Sequence, residues 1–208
     1  MGISGSDRNK IHTTTTITCP HDCPPRTHTE VTQTLTTPLT DPCQPTPPSL
    51  TTTRTSLYEC LRWSQKTETH HPDDPLICPI CQTSSTKWTS TMRIASLPEH
   101  LIIRLTREKK DQEDTDKDTR IISFPRKNLR LESGPNGRPT LYDLCGVIRH
   151  HGPSRYGGHY TTDKIHKGSW FKCDDSKVKT LMTNQIVGDG TEFMFLYSKP
   201  HTTPPPPQ

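Results

Sequence analysis

The sequence predicts an α+β protein built on an antiparallel sheet, and three features carry that expectation. From Pro98 onward come short apolar-rich runs, HLIIRLT, LYDLCGVIRH, GHYTTD, SWFKC and EFMFLYS, which read as strands with no helices alternating between them. One short amphipathic helix is expected ahead of them, in SLYECLRW. Two closely spaced cysteine pairs, Cys19 with Cys23 and Cys78 with Cys81, lie upstream of the strands.

The first 55 residues hold 17 of the 34 threonines. Residues 1–14 are expected to be disordered, and His12 to Thr18 and Thr36 to Thr55 to be extended or disordered connectors, because they bury too little to offset their ordering entropy. The helix follows, with Leu57, Cys60 and Leu61 at i, i+3 and i+4 behind a Thr/Ser cap. Between the first two strands, EKKDQEDTDKDTR reads as a solvated loop of mixed charge, and IISFPRKNLRL as an extended return into the sheet. The tail HTTPPPPQ, residues 201–208, is expected to be unfolded or polyproline II. One domain over 15–200 with a Thr/Pro-rich insert at 36–55 accounts for the rest.

Composition narrows the function. Apolar residues make up 27% of the chain, well under the roughly 45–50% usual for a globular domain even with glycine added, so any core is local. No run of about 18 apolar residues exists and the polar start lacks the apolar stretch of a secretion signal, so an intracellular chain, cytoplasmic and/or nuclear, with no membrane partner is expected. The net charge of +4 is spread along the chain, which argues against a nucleic-acid surface. Eight cysteines without a secretory signal point to metal ligands, reactive thiols or small buried hydrophobes rather than disulfides.

Their spacing separates these roles. Cys19-x3-Cys23 and Cys78-x2-Cys81 form two knuckles, each able to aim two sulfurs at one Zn²⁺, and together they make a closed four-thiolate site with no open position for substrate. Such a site is structural. His21 and His28 are possible substitute ligands, although histidines in so polar a segment are more often solvated. Cys43 in the linker, Cys60 on the helix, and Cys145 and Cys173 in strands stand unpaired.

Residues 141–178 hold the most chemistry. One strand delivers His150, a Gly/Pro turn follows, Gly157-Gly158 leads into His159-Tyr160, and the strand opened by Trp170 ends at Asp174-Asp175. Hairpin geometry brings a carboxylate at the end of one strand beside an imidazole at the start of its neighbour. A histidine whose ring N–H is held by a carboxylate has a fixed tautomer and can act as general base toward a thiol or hydroxyl. The glycines would let an extended peptide approach the backbone.

This stretch resembles the histidine box of the ubiquitin-specific proteases, papain-like cysteine peptidases that cleave at the ubiquitin C-terminus. That box runs Tyr-x-Leu-x-x-Val-x-x-His-x-Gly, then Gly-His-Tyr, Trp, Asp-Asp and Val. The chain supplies Tyr142, Leu144, Val147, His150, Gly152, Gly158, His159, Tyr160, Trp170, Asp174, Asp175 and Val178 in that order. SLPEHLIIRLTR, SLYECL, the cysteine pairs and EFMFLYS are similar to other parts of the same domain. The resemblance implies a palm sheet with zinc-ribbon fingers, and ubiquitin and ubiquitinated proteins as partners. It makes His159 the general base, Asp174 its orienting carboxylate and Asp175 a polar helper, and it places His150, Gly157, Gly158 and Tyr160 along the channel for the ubiquitin tail. Cys19, Cys23, Cys78 and Cys81 would carry the zinc. The family's cysteine box, of the type Gly-Asn-Thr-Cys-Tyr, does not occur in these 208 residues, so the nucleophile and the helical N-terminal lobe are expected to be missing and the chain to be inactive alone. Glu108 and Cys173 also stand where the family usually has aromatics. The alternatives are a catalytically dead zinc-containing ubiquitin-binding module and a zinc-ribbon adaptor, the latter disfavoured by Thr and Pro, in place of Lys, Arg and aromatics, around the knuckles.

Overall fold

A computed structural model describes residues 9–41, 54–69, 75–85, 87–107, 117–134, 137, 139–154 and 157–200. Expectations for residues 1–8, most of the linker, Cys43, Glu108, most of the charged loop and the tail lie outside these residues.

The large sheet contains all five strands expected from the apolar runs: β9 (His100–Thr106), β12 (Thr140–His151), β13 (His159–His166), β14 (Ser169–Asp174) and β16 (Glu192–Ser198). With β15 (Lys177–Leu181) and β3 (Thr34–Pro38) its order is β15-β14-β13-β12-β16-β9-β3, and β11 (Leu129–Leu131) pairs with β12 off this path. In β9 the alternation is strict: Leu101, Ile103 and Leu105 are buried and the residues between them are not. They join Leu35, Ile122, Leu129, Tyr142, Val147, Phe195 and Tyr197 in one core, which α1 (Leu57–Trp63) caps with Leu57, Cys60 and Leu61. Helix α1 begins in a capping box. The Ser56 hydroxyl accepts from the Glu59 amide at 3.2 Å, and the Glu59 carboxylate accepts from the Ser56 amide at 2.8 Å.

Two stretches expected to be extended or disordered connectors are ordered strands. Residues 11–18 form β1 (Ile11–Thr18), in a four-stranded sheet ordered β2-β1-β8-β5, with β2 (Arg26–Thr32), β5 (Thr67–Thr69) and β8 (Thr89–Ser96). Burial alone is a poor guide here, because β-branched threonines fit the pleat and pair across strands. One row, Thr27, Thr16, Thr91 and Thr67, crosses all four strands, and the Thr67 and Thr91 hydroxyls lie 2.7 Å apart. Ile11 and Ile94 tie the sheet to the core. The start of the Thr/Pro insert likewise falls in β3, which runs parallel to β9; Leu35 and Thr37 on it and Leu39 just past it are buried on alternate positions. Its end, β4 (Arg54–Ser56), pairs in parallel with β10 (Ile121–Ser123). The segment expected to return into the sheet thus divides: β10 pairs with β4, and β11 returns to β12. Among the described residues no helix is long and apolar enough to cross a membrane.

Candidate functional site

The hairpin β12-β13 and the hairpin β13-β14 converge at one rim of the large sheet. His151 pairs with His159 and His150 with Tyr160 across the first hairpin. Thr162 pairs with Cys173 across the second, so one further step sets Thr161 opposite Asp174. His159 and Asp174 are therefore diagonal neighbours on one face, and their contact follows from register. The His159 Nε2 to Asp174 Oδ1 distance is 2.6 Å, with both side chains nearly half exposed. An ionised carboxylate only accepts, so Nε2 carries a proton, and in the neutral imidazole Nδ1 is the nitrogen with the lone pair. Among the described residues Nδ1 has no hydrogen-bond partner. The hydrogen bond from His159 holds Asp174 below the ordinary aspartate range. Asp175 sits in the β14-β15 turn at φ 49°, with a carboxylate oxygen within 4.8 Å of the His159 and Asp174 donor atoms.

His150 and Tyr160 occupy the opposite face. The His150 ring stacks on Tyr160 at a centroid distance of 4.6 Å, and Tyr160 meets Phe193 edge-on at 5.7 Å. Burial, helped by Lys117 and His151, pushes His150 below the ordinary histidine range, so it is neutral at pH 7. Gly158 joins the two faces. A Cβ there would lie 2.3 Å from the His151 carbonyl oxygen and 2.4 Å from His150 Nε2, at a φ of 153°. The glycine is thus required first by the His151 backbone carbonyl and then by the His150 ring, whatever peptide approaches it. Gly157, by contrast, has open space where a Cβ would stand.

Sequence reasoning missed a buried charged network on the same sheet face as His159, further along the strands. Arg149 donates to Asp163 at 2.7 Å, to Asp189 at 2.9 Å and to Glu192 at 3.3 Å, while Arg107 donates to Glu192 at 2.9 Å. Arg107, Arg149, Asp163 and Glu192 are all buried. The network ties β12, β13, β16 and the end of β9 together directly beneath the rim. Its signal in the sequence was charge at inward positions of apolar strands, Arg149 in GVIRHH and Glu192 at the head of EFMFLYS.

The cysteine pairs come together as expected. The Sγ atoms of Cys19, Cys23, Cys78 and Cys81 all lie within 4.8 Å of one another, and Cys19 and Cys81 are 3.9 Å apart. Four Zn–S bonds of about 2.3 Å in a tetrahedron place sulfurs about 3.8 Å apart, so the donor set fits Zn²⁺. The second knuckle lies between β6 (Leu76–Ile77) and β7 (Ser84–Ser85), closed by Gln82 N–H to Cys78 O at 2.8 Å with Gln82 at φ 56°. Hydrogen bonding from Thr83 draws the Cys81 thiol down to about 6, whereas desolvation pushes Cys23 up to about 12. Trp88 is buried against Cys19 and Cys78, with Arg26 over its ring at 5.4 Å.

The sheet, with a histidine–carboxylate pair at its rim, has the form of the palm of a papain-like peptidase domain. The chain belongs to the ubiquitin carboxyl-terminal hydrolase family, whose pattern it matches over residues 12–197, and within it to the ubiquitin-specific proteases. It is 31% identical over 144 residues to human ubiquitin carboxyl-terminal hydrolase 15, covering 67% of this chain and 14% of that protein. It is 31% identical over 150 residues to ubiquitin carboxyl-terminal hydrolase 3 of Mus musculus, covering 68% of this chain and 28% of that protein. The chain thus spans between about a seventh and somewhat over a quarter of the length of these relatives. Among solved structures, a chain of the SAGA DUB module Ubp8/Sgf11/Sus1/Sgf73 bound to monoubiquitin superposes with a TM-score of 0.72 at 23% identity, over 92% of this chain and 41% of that one. A yeast SAGA DUBm with an Sgf73 mutant gives 0.73, also at 23% identity and with the same coverage. These likenesses establish the fold.

Proposed function

We propose that the chain is the palm-and-fingers part of a deubiquitinating thiol peptidase, in which His159 is the general base, Asp174 orients it, and the nucleophilic thiol comes from outside these 208 residues. The 2.6 Å bond from His159 Nε2 to Asp174 carries this reading, because it leaves Nδ1 as a proton acceptor at an accessible rim. Nδ1 takes the thiol proton, and the thiolate attacks the carbonyl carbon of the last ubiquitin glycine. The tetrahedral adduct collapses as Nδ1–H protonates the departing lysine amine. Water, deprotonated by His159, then attacks the thioester and regenerates the thiol. Asp175 stands close enough to supply a second polar contact. His150, Gly157, Gly158 and Tyr160 form the rim past which the ubiquitin tail would run to reach Nδ1.

The described cysteines support an external nucleophile. Cys173 lies on the strand face opposite His159 and Asp174. Cys60 is buried in the core with its thiol pushed up to about 12, and Cys145 pairs with the Ser198 hydroxyl at 2.7 Å. The remaining four form the metal cluster, where Zn²⁺ would lock the two knuckles together as a structural ion. A second reading, a zinc-containing ubiquitin-binding module without catalysis, rests on this same lack of a thiol beside His159 among the described residues.

Two measurements test the proposal. Hydrolysis of a C-terminal fluorogenic ubiquitin by the 208-residue chain should not exceed that of His159→Ala; cleavage abolished by that substitution would place the nucleophile within the chain. The longest natural protein containing this segment should form a covalent adduct with ubiquitin bearing a C-terminal electrophile. Binding without adduct would favour the non-catalytic module.

A further inference from the structure

We infer that His21 is a fifth donor of the cysteine cluster, completing a Cys3His shell when Cys23 is not available. This rests on the zinc reading above. His21 Nδ1 lies 3.8 Å from Cys19 Sγ and 4.0 Å from Cys81 Sγ. In a tetrahedral shell with Zn–S of about 2.3 Å and Zn–N of about 2.0–2.1 Å, sulfur and nitrogen donors stand about 3.5–3.6 Å apart. The imidazole is therefore within a few tenths of an ångström of ligand spacing from two of the sulfurs.

The turn that carries it explains why Cys23 is the thiolate it can replace. Cys19-Pro20-His21-Asp22-Cys23 has one residue more than the Cys78-x2-Cys81 knuckle, and Asp22 at φ 52° reverses the chain within it. His21 and Cys23 thus leave the same turn, and Cys23 Sγ sits 3.8 Å from the carbonyl oxygen of His21. Exchange of one donor for the other requires side-chain rotation and no rebuilding of the backbone. Cys19 and Cys78 are buried beneath Trp88, whereas Cys23 is half-buried and His21 exposed, so the exchangeable position is the outer one. His21 stands outside the group of four mutually adjacent sulfurs and so would replace one of them rather than join all four, whereas His28, the other histidine of this segment, stands on β2 opposite Thr15.

The test uses the 208-residue chain loaded with Zn²⁺ or Co²⁺. Wild type should hold one equivalent. Cys23→Ala should also hold one equivalent, with the Co²⁺ thiolate charge-transfer absorbance per metal falling by about a quarter as four thiolates become three. The double variant Cys23→Ala with His21→Ala should lose the metal, as Cys78→Ala does. ¹¹³Cd NMR gives a readout independent of absorbance: the Cys23→Ala resonance should move upfield, as expected for one nitrogen replacing one sulfur. Loss of metal in Cys23→Ala, whether or not that chain remains folded, overturns the inference, and so does a double variant that retains it. Wild type that binds no metal removes the zinc reading itself, an outcome distinct from the other two.

Discussion

Glu192 is the residue whose removal should be felt most, and its surroundings set the size of the effect. Its carboxylate is fully buried, accepting from Arg107 at 2.9 Å and from Arg149 at 3.3 Å, with the Gly190 amide 3.3 Å away. In Glu192→Ala, Arg149 keeps two carboxylates, Asp163 and Asp189. Arg107 keeps only carbonyl partners, those of Asp118 at 2.7 Å and Arg120 at 3.0 Å, together with the Glu192 backbone. One buried guanidinium thus loses its directly paired carboxylate and keeps only the more distant charges of Asp118 and Asp189, and breaking a buried pair from one side costs about 3–5 kcal/mol. With an m-value of about 2 kcal/mol/M in urea, the unfolding midpoint should fall by about 1.5–2.5 M. Removing Arg107 as well, as Arg107→Met with Glu192→Ala, should recover part of that loss, because no uncompensated charge remains. Urea denaturation followed by tryptophan fluorescence measures both. A Glu192→Ala chain within about 1 kcal/mol of wild type, or a double variant weaker by the sum of the two single effects, would refute this account of the network.

Other expectations are as specific. Asp174 should titrate by carboxyl ¹³C NMR below the ordinary aspartate range and return toward it in His159→Ala; its lowered pKa means that the stabilisation from this contact is present above the unfolded-state pKa and lost as pH falls through the folded one. In an enzyme completed with its thiol, Asp174→Ala should lower kcat by roughly 10²–10⁴-fold with far-ultraviolet circular dichroism unchanged; unaltered turnover would remove its orienting role. Gly158→Ala forces a Cβ to within 2.4 Å of His150 and should cost about 1–3 kcal/mol, measurable as a lowered Tm. Cys78→Ser should drop bound zinc below half an equivalent by elemental analysis, and unchanged metal content would exclude the four-cysteine site.

Much of the palm was legible because its strands are written in apolar alternation, as at Leu101, Ile103 and Leu105. The His159–Asp174 contact was legible too, since two hairpins of readable length set the register. The threonine strands were not. Their pairing rests on ladder hydrogen bonds and cross-strand threonine contacts such as Thr67 with Thr91, and a reading that weighs burial against entropy assigns them to extended or disordered connectors. The charged network was hidden for a different reason. Arg149, Asp163 and Glu192 lie on three strands and Arg107 just past a fourth, and nothing local announces that residues 85 apart, Arg107 and Glu192, will meet. The role of Gly158 was only half visible: a flexible position was expected, but the His151 carbonyl and the His150 ring that leave no room for a Cβ come from the neighbouring strand.

The threonine row across the four-stranded sheet has a thermodynamic consequence. Exposing apolar surface raises the heat capacity on unfolding by about 0.45 cal/K/mol/Å², and exposing polar surface lowers it by about 0.26. Opening the region of Thr16, Thr27, Thr67 and Thr91 would uncover threonine methyls together with a larger area of hydroxyls and peptide groups, so the two contributions nearly cancel there. Its opening free energy should therefore fall almost linearly on warming, with no maximum, while that of the apolar palm follows the usual curved dome. Hydrogen exchange across a temperature series would show two parts of one chain responding to heat by different laws, with the fingers loosening first.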